Sequence, residues 1–362
     1  MPNDKEEAFI IMCGGYGERF WPKSRQATPK QTLSIGTNKP LLIEAVERAA
    51  GLVDFSKIFI STGAELEMPF KSFLKDYNVN YIIEPMRRDT AAAIGYTSMI
   101  LAEKLGRNAV VAFVGSDYVI PNKKDFQNHI SAAFELARRD NVIVTLGINP
   151  SRPATGYGYI QKGEKLEDPI AGFEAFKVKA FKEKPNEDLA EDYLDSGDYF
   201  WNSGMFICKI GVILHELKEF TPKLFNALEK MAESKFEEKT VNELFEKLEK
   251  ISIDFAVMEK TERIAVLKGN FDWDDMGDWE AYARATDKDA LGNSIFGSHI
   301  GVKTKDCVIY NDTDTIVTTI GVSDLIIVQT KDALLICPKD QAQNVKKLVR
   351  KLEKGEETKN YL

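Results

Sequence analysis

The first 150 residues alternate short apolar runs with longer amphipathic stretches, and this rhythm restricts the fold more than any other feature of the chain. "AFIIMC" (8–13) reads as a strand. "KPLLIEAVERAA" (39–50) reads as a helix, with Pro40 near its start and apolar residues at a 3.6-residue spacing. "SKIFIST" and "VNYIIEP" are further strands, the second closed by Pro85. "TAAAIGYTSMILAEKL" (90–105) is a helix whose small residues suit close packing on a sheet, and "NAVVAFVGSD" is a buried strand ending at Asp117. "DFQNHISAAFELARRD" and "NVIVTLGI" supply one more helix and strand. Repeated strand-then-helix order predicts an α/β fold with a doubly wound, mostly parallel, Rossmann-like sheet.

Further along, "TGYGYIQKG" has the glycines and alternation of a hairpin or bent edge, and "GFEAFKVKAFKEKP" alternates like a long strand. Residues 222–260 read as helical, their charges forming a solvated face. Past residue 285, short β-rich runs separated by Gly, Asn and Asp continue without a long helix until "AQNVKKLVRKLEK". A chain of 362 residues exceeds the size at which single cores stop growing, so two domains are expected, over 1–285 and 286–362. The run "TIVTTIGVSDLIIV" calls for cover by the first domain or by a second subunit, and a homodimer through this C-terminal region is the corresponding expectation.

The stretch "CGGYGERFWPKSRQATPKQ" (13–31) leaves the first strand as a glycine-rich, basic loop carrying Arg19, Lys23, Arg25 and Lys30. A phosphate-loop reading needs Gly-Lys followed by Ser or Thr, which is missing. A dinucleotide fingerprint needs a third glycine where Phe20 stands. The glycines with Arg19, Arg25 and Lys30 still point to an anion, in a chain whose 48 basic and 56 acidic residues give a net charge of -8. That balance opposes nucleic-acid binding. Cys13, Cys208, Cys307 and Cys337 lie in or beside apolar runs at no metal-site spacing, as expected of free thiols in a reducing cytosol. His129, His215 and His299 are equally scattered. No stretch reaches 18 apolar residues and the N-terminus lacks a signal-peptide pattern, so no membrane is expected and the location expected is cytoplasmic.

"GGYGERFWPKSRQATPKQ" resembles the signature loop of sugar-nucleotide pyrophosphorylases, and in detail that of the mannose-1-phosphate guanylyltransferases, also called GDP-mannose pyrophosphorylases. "EPMRRDTAAAI", "VGSDYVI", "TGYGYI", "FKEKP", "WNSGMF", "SIDFAVMEK", "FDWDDMGDW" and "TIGVSDLIIVQTKDALLICPKD" follow in that family's order. Glu18, Asp89 and Tyr118 depart from its usual Thr, Asn and His. Glu18 should therefore point away from the phosphates or help hold metal. No cupin-like isomerase domain follows within the 362 residues, so the resemblance is to the single-function form.

The resemblance implies a nucleotide-diphospho-sugar transferase fold with a short C-terminal β-helix. It implies the reaction of mannose 1-phosphate with GTP to give GDP-mannose and pyrophosphate. Gly14, Gly15 and Gly17 would let backbone N–H groups approach the triphosphate, and Arg19 and Lys30 would hold phosphate. Pro22 and Pro29 would stiffen the arm, and Trp21 would anchor it by packing. Asp117 and Asp275 would bind Mg2+, with Asp275 chosen over Asp274 by the family's spacing in "WDDMG". The nucleoside would lie near Glu84, Arg88, Thr90 and the small Ala91–Ala93, and the sugar phosphate near Gly158, Glu183, Lys184 and Asn202. Rival readings are a nucleotidylyltransferase for another hexose 1-phosphate or base, an NAD-dependent oxidoreductase, and a non-catalytic regulatory relative. Phe20 and the basic arm count against the second, and Asp117 with Asp275 against the third.

Overall fold

The computed structural model describes residues 6–34, 39–168 and 170–362. The chain forms two compact units that are interleaved in sequence. One comprises Met1–Gly14, Val46–Gly115 and Ile120–Trp273; the other comprises Gly15–Ala45, Ser116–Val119 and Asp274–Leu362. The strands of the first are β1 (Glu7–Cys13), β2 (Ile58–Gly63), β3 (Asn80–Glu84), β4 (Val110–Gly115), β5 (Ile143–Ile148), β6 (Tyr159–Lys165), β7 (Ala175–Lys182), β8 (Tyr199–Lys209) and β9 (Ile264–Gly269). The helices of the chain are α1 (Leu41–Ala49), α2 (Ala64–Phe73), α3 (Asp89–Leu105), α4 (Lys123–Asp140), α5 (Glu187–Ser196), α6 (Ile210–Phe220), α7 (Pro222–Glu233), α8 (Glu238–Glu246), α9 (Trp279–Ala285) and α10 (Val345–Leu352).

In the first unit the strands form one sheet in the order β3-β2-β1-β4-β8-β5-β9-β7-β6. β1 lies parallel between β2 and β4, Ile11 pairing with Ile60 on one side and Val114 on the other. Its side chains alternate between two covered faces. Phe9 meets Phe126 of α4, while Ile10 joins the core cluster that includes Ala91 and Ala92 of α3. Cover on both faces is why β1 reads as a continuous apolar run. The sheet is parallel from β3 to β4 and mixed beyond. β8 inserts antiparallel between β4 and β5, and the β6–β7 hairpin adds antiparallel pairs at the other edge. The expected mostly parallel sheet is therefore parallel through β3-β2-β1-β4 and between β5 and β9, with the antiparallel pairs brought in by β8 and the β6–β7 hairpin.

The second unit carries β10 (Ser294–Phe296), β11 (His299–Val302), β12 (Val308–Asn311), β13 (Val317–Ile320), β14 (Leu325–Gln329) and β15 (Leu334–Pro338). β10, β12 and β14 stack parallel, as do β11 and β13, so successive turns of chain lie on one another as the rungs of a short β-helix. Antiparallel β15 closes the stack. The core of this unit gathers Phe20, Trp21, Met276, Trp279, Tyr310, Val328 and Val349. The aromatic residues of the N-terminal loop are therefore core residues of the unit that contains the C-terminal strands. Burial of Phe20 alone contributes about 1.5–3 kcal/mol.

Candidate active site

Within the second unit the basic loop is folded back on itself. The Lys30 N–H donates to the Tyr16 carbonyl at 2.9 Å, Gln31 Nε2 to the Gly15 carbonyl at 2.8 Å, and the Ser24 hydroxyl to the Gly17 carbonyl at 2.5 Å. Gly17 has φ +81°, and a Cβ there would lie 2.4 Å from Cβ of Lys30. Glycine at this position is thus demanded by the turn itself. Gly14 and Gly15 differ. Neither has a positive φ, and a Cβ on either would meet no protein atom closer than 4.0 Å. Their smallness serves nothing inside the protein and leaves the backbone open to an approaching ligand.

Lys30 is only 5% exposed. Its Nζ donates to Asp117 Oδ2 at 2.6 Å and to the Met276 carbonyl at 2.9 Å. Paired backbone bonds between Val119 and Asp274, at 2.9 and 3.1 Å, bring the Asp117 segment beside the second acidic segment. There the two adjacent aspartates differ. Asp274 accepts a two-pronged bond from Arg284, at 2.8 and 3.2 Å. Asp275 accepts from the Gly277 N–H at 3.2 Å. Burial pushes the Asp275 carboxyl up to about 6, with Asp274 adding to the shift, Lys30 opposing it, and Asp117 and Asp278 contributing further repulsion. Asp278 caps α9, accepting from the N–H groups of Glu280 and Ala281. Arg19 Nη1 lies 3.5 Å from the Gly277 carbonyl, beside the same turn.

The remaining basic residues of the loop are used elsewhere. Arg25 donates to the carbonyls of Pro22 and Tyr361 and to the carboxylate of Asp332, each at 2.7 Å. Lys23 pairs with Asp312. Arg25, read from sequence with the anion-binding residues, is a strut of the loop. Trp21 is an anchor, its Nε1 donating to the Tyr361 carbonyl at 2.8 Å. Glu18 faces Lys346 of α10 at 4.0 Å. Among the described residues no three His, Cys, Asp or Glu form a ready metal cage. Asp117 and Asp275 supply two hard oxygen donors, which fits a divalent cation that takes its other ligands from water and phosphate.

In the first unit, Glu84 ends β3 at 7% exposure; burial pushes its carboxyl up to about 7, with Glu65 adding and Arg87 opposing. Arg88 donates through Nε to the Phe245 carbonyl at 2.8 Å and through Nη2 to the Glu246 carbonyl at 2.5 Å, at the end of α8. Thr90 Oγ1 accepts from the Ile253 N–H at 2.8 Å. Ala91 and Ala92 are buried in the unit's hydrophobic core, so their smallness is used in packing.

The residues expected on the sugar side come together. A Cβ on Gly158 would lie 2.5 Å from Glu183 Oε2, and the Gly158 carbonyl accepts from the Asn202 N–H at 2.8 Å. Lys184, at φ 47°, turns its ammonium back onto the Glu183 carboxylate. Asn202 Oδ1 accepts from the Thr145 hydroxyl and the Gly204 N–H, both at 3.1 Å, and its Nδ2 donates to Asp254 at 3.2 Å. The sequence motif "SIDFAVMEK" alone gives Asp254 no role; the available signal is a lone carboxylate opening an apolar helical run.

A glycine-rich loop holding a buried lysine against one carboxylate beside a second, together with a Rossmann-like sheet, defines a nucleotidyl transferase. Residues 8–291 match the family model described as nucleotidyl transferase, and residues 297–352 match a MannoseP isomerase/GMP-like beta-helix domain. The chain belongs to the mannose-1-phosphate guanylyltransferase family. It is 36% identical over 360 residues to mannose-1-phosphate guanylyltransferase 2 of Escherichia coli O157:H7, covering 96% of this chain and 74% of that relative. Identity is 35% over 354 residues to the mannose-1-phosphate guanylyltransferase of Klebsiella pneumoniae, with the same coverage. A crystal structure from Thermus thermophilus, described as a mannose-1-phosphate geranyltransferase, superimposes with a TM-score of 0.84 at 31% identity, covering 96% of this chain and 99% of that one.

Proposed function

We propose that the chain transfers GMP from GTP to α-D-mannose 1-phosphate, giving GDP-mannose and pyrophosphate. The observation that carries this reading is the Lys30–Asp117 pair set beside Asp275 at the root of the glycine loop, in a chain whose relatives bear that activity in their names. An oxygen of the sugar phosphate attacks the α-phosphorus, forming one P–O bond while the bond to the leaving pyrophosphate breaks. Phosphate monoesters have a second pKa of about 6, so the nucleophile arrives ionised and no general base is required. The demand is to bring two anions together and to hold charge on the leaving group. Arg19, Lys30 and the open backbone of Gly14, Gly15 and Gly17 meet that demand. Asp117 and Asp275 would hold Mg2+, which when bound neutralises charge on the α-phosphate. Gly158, Glu183, Lys184 and Asn202 receive the sugar phosphate, with Lys184 drawn from Glu183 to the phosphate. Glu84 and Thr90 lie on the nucleoside side, and Arg88 fixes the end of α8 beside them.

Pyrophosphate release measured for the four nucleoside triphosphates against several hexose 1-phosphates tests the reading. GTP with mannose 1-phosphate should give the highest kcat/KM; preference for another pair would replace the assignment with the corresponding hexose-1-phosphate nucleotidylyltransferase. Lys30→Ala and Arg19→Ala should each lower kcat by about 100- to 1000-fold, the scale of losing one preorganised donor to developing charge. Near-parental kcat at saturating GTP would remove them from the site. Glu183→Gln should lower kcat/KM for mannose 1-phosphate roughly 10- to 150-fold, the worth of a charged hydrogen bond, with the KM for GTP unchanged. An effect confined to GTP would refute the sugar-side placement.

A homodimer through the C-terminal region is part of the same proposal, supported by exposed apolar side chains on the β-helix, including Phe296, Ile300, Val302, Ile320 and Ile336. Sedimentation of the full chain as a monomer at micromolar concentration would remove it. Among the described residues no helix is long and apolar enough to cross a membrane. Among the described residues none of the four cysteines is in a disulfide, which supports a cytoplasmic location.

A further inference from the structure

The sugar-side cluster contains one carboxylate that the reading above does not use. Asp254 opens a π-helical turn, Asp254–Met258, whose ring is closed by the Glu259 N–H donating to the Asp254 carbonyl at 3.0 Å. Such turns recur at functional sites because they aim one side chain off the helical path. This turn is pinned on its N-terminal side by the Ile253–Thr90 bond. The Asn202 amide fixes where the Asp254 carboxylate stands. Its oxygen already has two donors, Thr145 and Gly204, so its NH2 group must face Asp254. Asn202 is also bonded through its backbone to Gly158, where the missing Cβ makes room for Glu183. Asp254 and Glu183 are thus two carboxylates gathered around one oriented amide.

That arrangement costs stability. Burial raises the Asp254 carboxyl to about 6, and Glu183 is the next largest cause, ahead of the partial relief from Lys184. A packing role would be met by an uncharged residue of the same shape at no such cost. A carboxylate has about four acceptor sites, and one bond from Asn202 leaves capacity for hydroxyl donors. Lys184 is the neighbouring cation, and in the proposed reaction the phosphate draws it away. Both carboxylates then face the sugar ring with acceptor capacity, the chemistry suited to a run of hydroxyls.

We propose that Asp254 is a specificity-determining residue, its carboxylate accepting a hydrogen bond from a ring hydroxyl of the hexose 1-phosphate that is not the one Asn202 contacts. The inference rests on the proposed sugar-phosphate chemistry and assigns a contact within it.

The test is a cycle between variants and substrates. Steady-state kcat/KM is measured for the parent, Asp254→Asn, Asp254→Ala and Asn202→Ala, using mannose 1-phosphate and its four monodeoxy analogues, with GTP saturating and Mg2+ present. Circular dichroism and the KM for GTP serve as controls for folding and for the nucleotide side. Asp254→Ala is expected to lose roughly 10- to 100-fold on mannose 1-phosphate, the range for a hydrogen bond to a charged group, with the KM for GTP within about twofold of the parent. One deoxy analogue should be poor for the parent yet no worse than mannose 1-phosphate for Asp254→Ala, because its missing hydroxyl has no partner left to lose. Asn202→Ala should make a different analogue silent. If both variants silence the same analogue, Asp254 acts only through Asn202 and the direct contact is overturned. Equal losses on all analogues, or a loss on GTP alone, overturn it as well. Should the parent fail to use mannose 1-phosphate, it is the proposed function that fails. The same cycle run on the hexose 1-phosphate the protein prefers then decides the Asp254 contact by the same criteria.

Discussion

Asp275→Asn is expected to give a protein that melts a few degrees higher than the parent in metal-free buffer at pH 7.5, and that has lost roughly 100-fold or more of its Mg2+-supported turnover. The two effects share one cause. Asp275 is raised by its own burial first, then by Asp274, with Asp117 and Asp278 near and Lys30 as the opposing charge. An acid whose folded pKa lies above its unfolded value is favoured in its neutral form. Its contribution is present below the unfolded range, near 3.8, and is lost as pH rises through about 6. At pH 7.5 the ionised group therefore costs on the order of 1–3 kcal/mol, and asparagine removes that cost while keeping an oxygen for the Gly277 N–H. At pH 4.5 the advantage should shrink to roughly a third, and it should vanish only below the unfolded value near 3.8. A bound cation relieves the same repulsion, so Mg2+ at about 100 times its Kd should stabilise the parent by about 2.7 kcal/mol and the variant far less.

Asp117→Asn should be equally inactive but should melt lower, since the Lys30 ammonium, 5% exposed, keeps an amide oxygen and the Met276 carbonyl but loses its hydrogen-bonded counter-charge. That loss is on the order of 1–3 kcal/mol after allowance for the partly exposed aspartate. Asp274→Asn should disturb the Arg284 pair and spare most turnover. Thermal melts with and without Mg2+ at both pH values, beside pyrophosphate release, decide the matter. A dead Asp274→Asn with an active Asp275→Asn would exchange the two aspartates, and full activity in both Asp117→Asn and Asp275→Asn would place metal binding elsewhere.

The parts of this site legible in the sequence are those written locally. β1 and β4 are apolar runs because both faces of the sheet are covered, and Asp117 follows β4 by two residues, where open α/β sheets present ligand groups. The alternation in β7 and the glycines before β6 mark the hairpin. What stayed hidden depends on pairings between distant segments, which leave no periodic trace. The apolar run of β8 does not say where it pairs, and only the three-dimensional packing sets it antiparallel between β4 and β5. The loop's positive charge looked like a single anion site, yet Arg25 meets Asp332 across 307 positions and Lys23 meets Asp312 across 289. Composition does not distinguish a cation spent on a strut from one kept for substrate. The pairing of Asp254 with Asn202 is hidden for the same reason, the two lying 52 residues apart.

Removal of residues 286–362 is expected to abolish turnover, although the nucleotidyl transferase family match ends at residue 291. The loop that carries Arg19 and Lys30 is a core element of the unit containing those residues. Trp21 and Phe20 pack in one cluster with Trp279, Tyr310, Val328, Val345 and Val349, and the Trp279 Nε1 donates to the Trp21 carbonyl at 3.3 Å. Cutting at 286 deletes Asp312, Asp332 and Tyr361, the partners of Lys23, Arg25 and Trp21, and uncovers aromatic side chains each worth about 1.5–3 kcal/mol of burial. A truncated chain could simply fail to fold, so the sharper measurement is Arg25→Ala in the full chain. That change removes three 2.7 Å bonds from one guanidinium, two of them to carbonyls that then lack a charged donor. Discounting the pair with Asp332, which is half exposed, the loss is about 2–4 kcal/mol. Because Arg25 does not reach the Lys30–Asp117 cluster, its effect on chemistry is indirect: the loop samples positions in which Arg19 and Lys30 are out of place. kcat should fall roughly 10- to 100-fold, as it does when catalytic groups are slightly misplaced, while Arg25→Lys, which keeps a cationic donor group without the guanidinium fork, recovers part of it. Parental kcat in Arg25→Ala, or a soluble and active 1–285 fragment, would show that the loop holds its catalytic shape without the C-terminal residues.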